Sequence, residues 1–247
     1  MAGVSAERQE NAVIKAINDA VRLNKKNPVS VIAGDTKLTG VISAEKYTGR
    51  QQGGAEPYTD VVISCMHNRK KVDYRFSLKG EEAASLAGGG LKGLELIIPG
   101  IGRKFMKTAY EYLVEDKNLN VGDKVPDIYG KISGPNKSKI VRGNAAIGGP
   151  IDYMYIGSMS VSSRYDSKNN TLTFLNGKMI DVETYARTHE LYFRLRARRI
   201  DQRFDPNAKD SSGTPKIYGK SPSRGDSAGR IVITDDVPTN AAIVTIR

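Results

Sequence analysis

The chain has 247 residues, room for one elaborated domain or two, and carries 38 Lys and Arg against 27 Asp and Glu, a formal net charge of +11. That balance calls for a polyanionic partner, nucleic acid before an anionic membrane surface. The single cysteine, Cys65, excludes an internal disulfide and suits a reducing compartment, and with only His67 and His189 beside it a structural zinc site or a Ser-His-Asp or Cys-His centre lacks candidates.

What the chain holds in quantity is Asp, Lys and Arg, which suits a hard cation and phosphate chemistry. The first ten residues have no apolar signal-like run, and the longest apolar stretch, near residues 94–98, is too short to span a bilayer. No membrane partner is expected.

The first element is a helix. Ser5 can cap it, Glu7 and Glu10 suit its first turns, and Val13, Ile14, Ile17, Ala20 and Val21 recur at helical spacing to about Asn24. Glu10 lies three, four and seven residues before Val13, Ile14 and Ile17, so a carboxylate sits on or near the apolar stripe. Asn27-Pro28 ends the helix, and residues 29–33 and 38–43 read as strands across Gly34-Asp35. Residues 47–55 form a Gly- and Gln-rich loop.

Residues 60–65 and 72–79 are β-branched and aromatic runs flanking a basic turn, His67 to Lys71, which is a hairpin signal. In the second run Val72, Tyr74, Phe76 and Leu78 share one face, and Asp73, Arg75, Ser77 and Lys79 the other. Asp60 heads one strand, just after Pro57, and Lys79 ends its partner.

Pro57…Asp60 followed by Ser77-Leu78-Lys79 resembles the signature of the PD-(D/E)XK nucleases, the restriction-endonuclease-like superfamily, in its phage-type members. The looser likeness runs from Glu56 to about Gly90. It implies an α/β fold with a mixed sheet flanked by helices, and a Mg²⁺- or Mn²⁺-dependent endonuclease acting on DNA. It also implies roles: Asp60, with the Leu78 carbonyl, as metal ligand, and Lys79 as the group that orients or activates water. Ser77 stands where the family has Asp or Glu. The family's first helix often supplies a Glu, and Glu10 could make good that loss; Asp73, Glu81 and Glu82 are weaker substitutes. Virion or host cytoplasm is the location that this likeness implies.

Downstream, residues 81–87 suit a short helix ended by Gly88-Gly89-Gly90, and G-G-G-L-K-G lacks the spacing of a nucleotide-binding loop. Residues 103–116 form a second amphipathic helix, with Phe105, Met106, Ala109, Tyr112 and Leu113 inward. Residues 118–150 read as a long loop made basic by Lys131, Lys137, Lys139 and Arg142. Residues 151–163 and 171–175 read as strands, and Asn176-Gly177 as a tight turn. Asp181 then caps a helix from 182 to about 200. On that helix Arg187, Arg194 and Arg198, with Arg199 and Arg203 adding charge, would present a phosphate-contacting row opposite Val182, Tyr185, His189 and Phe193. Residues 205–229 read as an extended arm, and 230–234 and 241–246 as closing strands.

The expected organisation is a nuclease-like core at 1–117, a basic loop at 118–150, a further core strand, hairpin and arginine-rich helix at 151–204, and an arm with closing strands at 205–247. Three functions fit. One is a Mg²⁺-dependent endonuclease using Asp60, Lys79, Glu10 and Ser77. The second is a nucleic-acid-binding protein on the same fold without catalysis. The third is a virion structural or assembly protein, self-associating or clasping neighbours through its loops.

Overall fold

The computed structural model describes residues 4–49, 57–81, 90–196, 203–209, 211–215, 217–221, 225–228 and 230–246. Helix α1, Val4–Leu23, buries Val13, Ile17, Ala20 and Val21 along one face, as a 3.6-residue period requires. Lys25 and Lys26, both at positive φ, turn the chain before Pro28. Strands β1 (Val29–Ala33), β2 (Thr36–Lys46), β3 (Val61–His67) and β4 (Lys70–Lys79) then run as an antiparallel meander. The β3–β4 turn is Asn68-Arg69 at φ 48° and 64°, the two-residue left-handed form whose twist matches paired strands.

The chain continues through helices α2 (Gly90–Ile97) and α3 (Ile101–Glu111), a π turn at Tyr112–Asp116, strand β5 (Ile128–Lys131), helix α4 (Gly134–Arg142) and a 3-10 turn at Ala145–Ile147. Strands β6 (Tyr153–Gly157), β7 (Ser163–Asp166), β8 (Thr171–Phe174) and β9 (Gly177–Asp181) precede helix α5 (Val182–Thr188). Strands β10 (Tyr192–Arg196), β11 (Tyr218–Ser221), β12 (Gly225–Ala228), β13 (Arg230–Thr234) and β14 (Ala242–Val244) complete the order.

Two compact units result, Met1–Ala84 with Val141–Thr188, and Ser85–Ile140 with His189–Arg247. Among the described residues, the first holds an eight-stranded mixed sheet ordered β7-β8-β1-β2-β3-β4-β6-β9, in which β4–β6 and β1–β8 pair parallel. Helix α1 packs on this sheet and α5 against its edge strand β9. The α1 face meets Val31, Val41, Ala44, Val61, Ile63, Cys65, Phe76 and Leu78 in one buried cluster. Each Val, Ile, Leu or Phe among them contributes about 1.5–3 kcal/mol by leaving water. The mixed α/β class with helices flanking a mixed sheet is therefore the one expected, and all four strands of the meander lie in it.

The second unit has its own sheet, β13-β10-β5-β14, with α2 against β13 and α3 against β5. Phe105 on α3 meets Phe193 on β10 with ring centroids 5.5 Å apart. Among the described residues no helix is long and apolar enough to cross a membrane.

Several expectations are corrected. The helix expected over 182–200 stops at Thr188, and Tyr192–Arg196 is a strand paired on both sides. Leu191, Phe193 and Leu195 are buried while Tyr192 and Arg194 are partly exposed, so period two prevails over the helical spacing that Phe193 also satisfies. The arginine row is thereby dissolved: Arg187 ends α5 in the first unit and Arg194 lies on β10 in the second, while Arg198 and Arg199 fall outside the described residues. The loop expected at 118–150 contains β5, α4 and the 3-10 turn. The arm at 205–229 contains the β11–β12 hairpin. Gly90 opens helix α2, and most of the helix expected at 81–87 lies outside the described residues. The strand expected over 151–163 is β6 alone, followed by β7 from Ser163.

Candidate active site

Asp60 sits one residue before β3, and the ladder continues through it. Val61 pairs with Phe76, and the Asp60 N–H donates to the Phe76 carbonyl at 2.8 Å, so Asp60 faces Ser77 at the ladder's end. Its carboxylate turns onto β4. Oδ2 accepts the Leu78 backbone N–H at 2.6 Å and the Ser77 hydroxyl at 3.1 Å. Charge-assisted bonds of this kind stabilise by about 1.5–3 kcal/mol each. Ser77 is 1% exposed, so the polar face of β4 is covered at this end. Lys79, two residues on, returns to the Ser77 face and is partly exposed.

The segment leading to Asp60 is fixed from behind. Tyr58 donates its N–H to Ile147 O at 2.9 Å, and the Thr59 hydroxyl donates to Gly148 O at 2.6 Å. Gly148 is at φ 75°, and a Cβ there would collide with Pro57. The Pro57 of the motif is thus a packing partner of the 3-10 turn, which aims the following residues at β4.

Glu10 is the unusual group. It is 7% exposed, and its Oε2 has no hydrogen-bond partner of good geometry, although the Lys46 ammonium lies 3.0 Å away as an ion-pair contact. Burial pushes its carboxyl above the usual range, Lys46 opposes that, and the charge of Asp60 adds to it. Glu10 and Asp60 thus lie within electrostatic reach of each other, on different elements. Lys46, at the end of β2 opposite Val61, also lies 3.6 Å from Glu7 Oε1.

Gln9 ties these parts together. It is 1% exposed, and its Nε2 donates to the carbonyls of Gly157 at 3.0 Å and of Lys79 and Ser158 at 3.3 Å each. The turn of α1 that carries Glu10 is therefore pinned to the C-terminal ends of β4 and β6. Glu10, Asp60, Ser77 and Lys79 gather at one end of the sheet.

Other expected participants lie elsewhere. Asp73 is opposite Ser64, whose hydroxyl donates to it at 2.7 Å, well along the hairpin toward its turn. Glu81 is exposed, and Glu82 is outside the described residues. Arg194 Nε and Nη2 donate to Asp127 Oδ2 at 2.9 and 2.6 Å, and its guanidinium carbon is 5.6 Å from the centre of the Tyr129 ring. It is an internal partner rather than a free phosphate ligand. Lys131 pairs with Glu190 at 2.7 Å, and Lys137 donates to His189 O at 2.8 Å. Arg187 is exposed at the end of α5.

Gln9 and Lys46 were not read as site residues from sequence. Gln9 directly precedes Glu10, which already marked this turn. Lys46 had no signal, because the expected strand ended at 43 and its ion pair joins β2 to α1.

Among the described residues no group of three or more His, Cys, Asp or Glu side chains is placed to hold a metal ion. Two carboxylates still fit a Mg²⁺-type ion, which often takes one or two carboxylates and fills its other positions with water or phosphate oxygens. The buried Glu10 oxygen, short of hydrogen bonds, is the observation that favours the fit. Comparison with protein-family models, with curated proteins and with solved structures found no match.

Proposed function

We propose that the first unit is a metal-dependent phosphodiesterase acting on DNA, with its centre at Glu10, Asp60 and Lys79. The observation that carries this reading is the placement of Glu10. A carboxylate from α1 is buried within electrostatic reach of Asp60, at the end of the sheet where Lys79 emerges. The resemblance to PD-(D/E)XK nucleases assigns roles to the same three residues, and the mixed sheet with a parallel β4–β6 pair accommodates them.

Asp60 and Glu10 would hold a Mg²⁺ or Mn²⁺ ion, with the Leu78 carbonyl as a further oxygen. Such an ion lowers the pKa of bound water and offsets charge on a phosphate. Lys79 supplies a positive charge beside the scissile phosphate and a donor that orients the water. Ser77 holds the Asp60 carboxylate in place through its hydroxyl, a positioning role in place of the ligand role of an acidic residue. The net charge of +11 draws in the polyanion and makes binding weaken steeply with salt.

A second reading, a DNA-binding protein without cleavage, is favoured by the Lys46 contact to Glu10 and by the neutral Ser77. An assembly role in a virion is the third. Incubating supercoiled plasmid and single-stranded DNA with the protein, with and without Mg²⁺ or Mn²⁺, separates the first reading from the others. Metal-dependent cleavage that falls by about 10² or more in Lys79→Ala supports the phosphodiesterase. DNA binding without cleavage supports the second reading, and neither activity leaves the assembly role.

A further inference from the structure

The ion pair between Lys46 and Glu10 has a consequence for how a cation enters this site. Lys46 Nζ lies 3.0 Å from Glu10 Oε2 and 3.6 Å from Glu7 Oε1, so one ammonium serves two carboxylates of α1. The Glu10 side chain is 9% exposed while that of Lys46 is 49% exposed. The buried partner is fixed between α1 and the sheet, and the exposed one is free to swing away. Glu10 Oε2 has no hydrogen bond of good geometry, so the Lys46 ammonium at 3.0 Å is held there mainly by charge.

We infer that Lys46 is the resident cation of the Glu10 carboxylate, and that a divalent metal binds by displacing the Lys46 ammonium. This rests on the phosphodiesterase reading for the identity of the metal site, and it adds a residue that sets the strength and selectivity of metal binding. A monovalent ion cannot hold both Glu10 and Asp60 better than the ammonium already satisfies Glu10. A divalent ion offers twice the charge to both carboxylates and so wins the exchange. Loss of Lys46 leaves Glu10 uncompensated in a buried position, which raises the gain from any cation that enters.

The test is calorimetric titration of Mn²⁺ into the full chain and its Lys46→Met and Lys46→Gln variants, Gln guarding against a Met variant that misfolds. Lys46 acylation by an amine-reactive ester, read by mass spectrometry against the exposed Lys37 on the same strand, follows the ammonium directly. The expected result is Mn²⁺ bound about tenfold or more tightly by both variants, as removal of an adjacent positive charge predicts. Mn²⁺ should also speed acylation of Lys46 relative to Lys37 in the wild type. Binding by the variants alone would overturn displacement, since Lys46 would then bar the metal from the wild-type site. If wild type binds Mn²⁺ in a manner lost in Glu10→Gln, yet the Lys46 variants bind no more tightly, displacement is overturned and the phosphodiesterase reading stands. If no form binds Mn²⁺, both fall.

Discussion

The Oδ2 atom of Asp60 accepts the backbone N–H of Leu78 at 2.6 Å, across the open end of the β3–β4 ladder. One carboxylate thus completes a strand pairing, and the proposed phosphodiesterase would also use it as a metal ligand. These two roles separate by substitution. Asp60→Asn keeps an oxygen for the Leu78 N–H and the Ser77 hydroxyl, and should fold with stability within about 1 kcal/mol of wild type. Asp60→Ala removes the acceptor and should lose about 1.5–3 kcal/mol in urea unfolding. Both should lose metal-dependent cleavage, because neither carries the charge. Cleavage retained by Asp60→Asn would remove Asp60 from the chemistry.

Glu10 should trade stability for function. Burial, with the Asp60 charge behind it, raises its carboxyl above the ordinary value against the opposing Lys46. A raised acid binds its proton more tightly folded than unfolded. Its contribution is therefore fully present below the ordinary Glu value and is lost as pH rises through the folded value. Glu10→Gln, always neutral, should melt at a higher temperature than wild type near neutral pH, and the gap should close as pH falls to about 4. The Lys46 contact that it forfeits is half in solvent and offsets little. A variant that melts lower than wild type near neutrality would mean that the ion pair outweighs the burial.

Gln9→Ala should destabilise the first unit by about 1–3 kcal/mol, since it leaves carbonyls at the ends of β4 and β6 short of a donor. Gln9→Glu should cost more, placing a carboxylate against the same three oxygens. Equal melting temperatures for Gln9→Ala and wild type would show that the clamp does not hold.

Arg194→Ala should lower the stability of the second unit and leave the salt dependence of DNA binding unchanged. Its guanidinium is engaged by Asp127 and Tyr129, so it should release no counterion if the chain binds DNA. A shallower slope of log affinity against log salt in this variant would return Arg194 to the nucleic-acid interface.

The hairpin at the centre of the site was legible because both its signals are local. Val72, Tyr74, Phe76 and Leu78 alternate, and Asn68-Arg69 forms the basic turn between the strands. Glu10 was legible as a carboxylate out of place on an apolar stripe. The arginine row was a misreading of Val182, Tyr185, His189 and Phe193, whose spacing is helical, while Leu191, Phe193 and Leu195 also alternate. Pairing with β5 and β13 decides between the two periods, and both partners are distant in sequence. β5 itself, Ile-Tyr-Gly-Lys, is too short to show any period. The parallel β4–β6 and β1–β8 pairs and the Lys46–Glu10 contact depend on long-range closure that no local pattern encodes.

The most direct measurement is an anomalous difference map from crystals of the protein soaked in Mn²⁺. The phosphodiesterase reading predicts a peak at coordination distance, about 2.0–2.6 Å, from carboxylate oxygens of both Glu10 and Asp60, with the Lys46 ammonium moved off Glu10. A map with Mn²⁺ elsewhere or nowhere, and Lys46 still against Glu10, would contradict it.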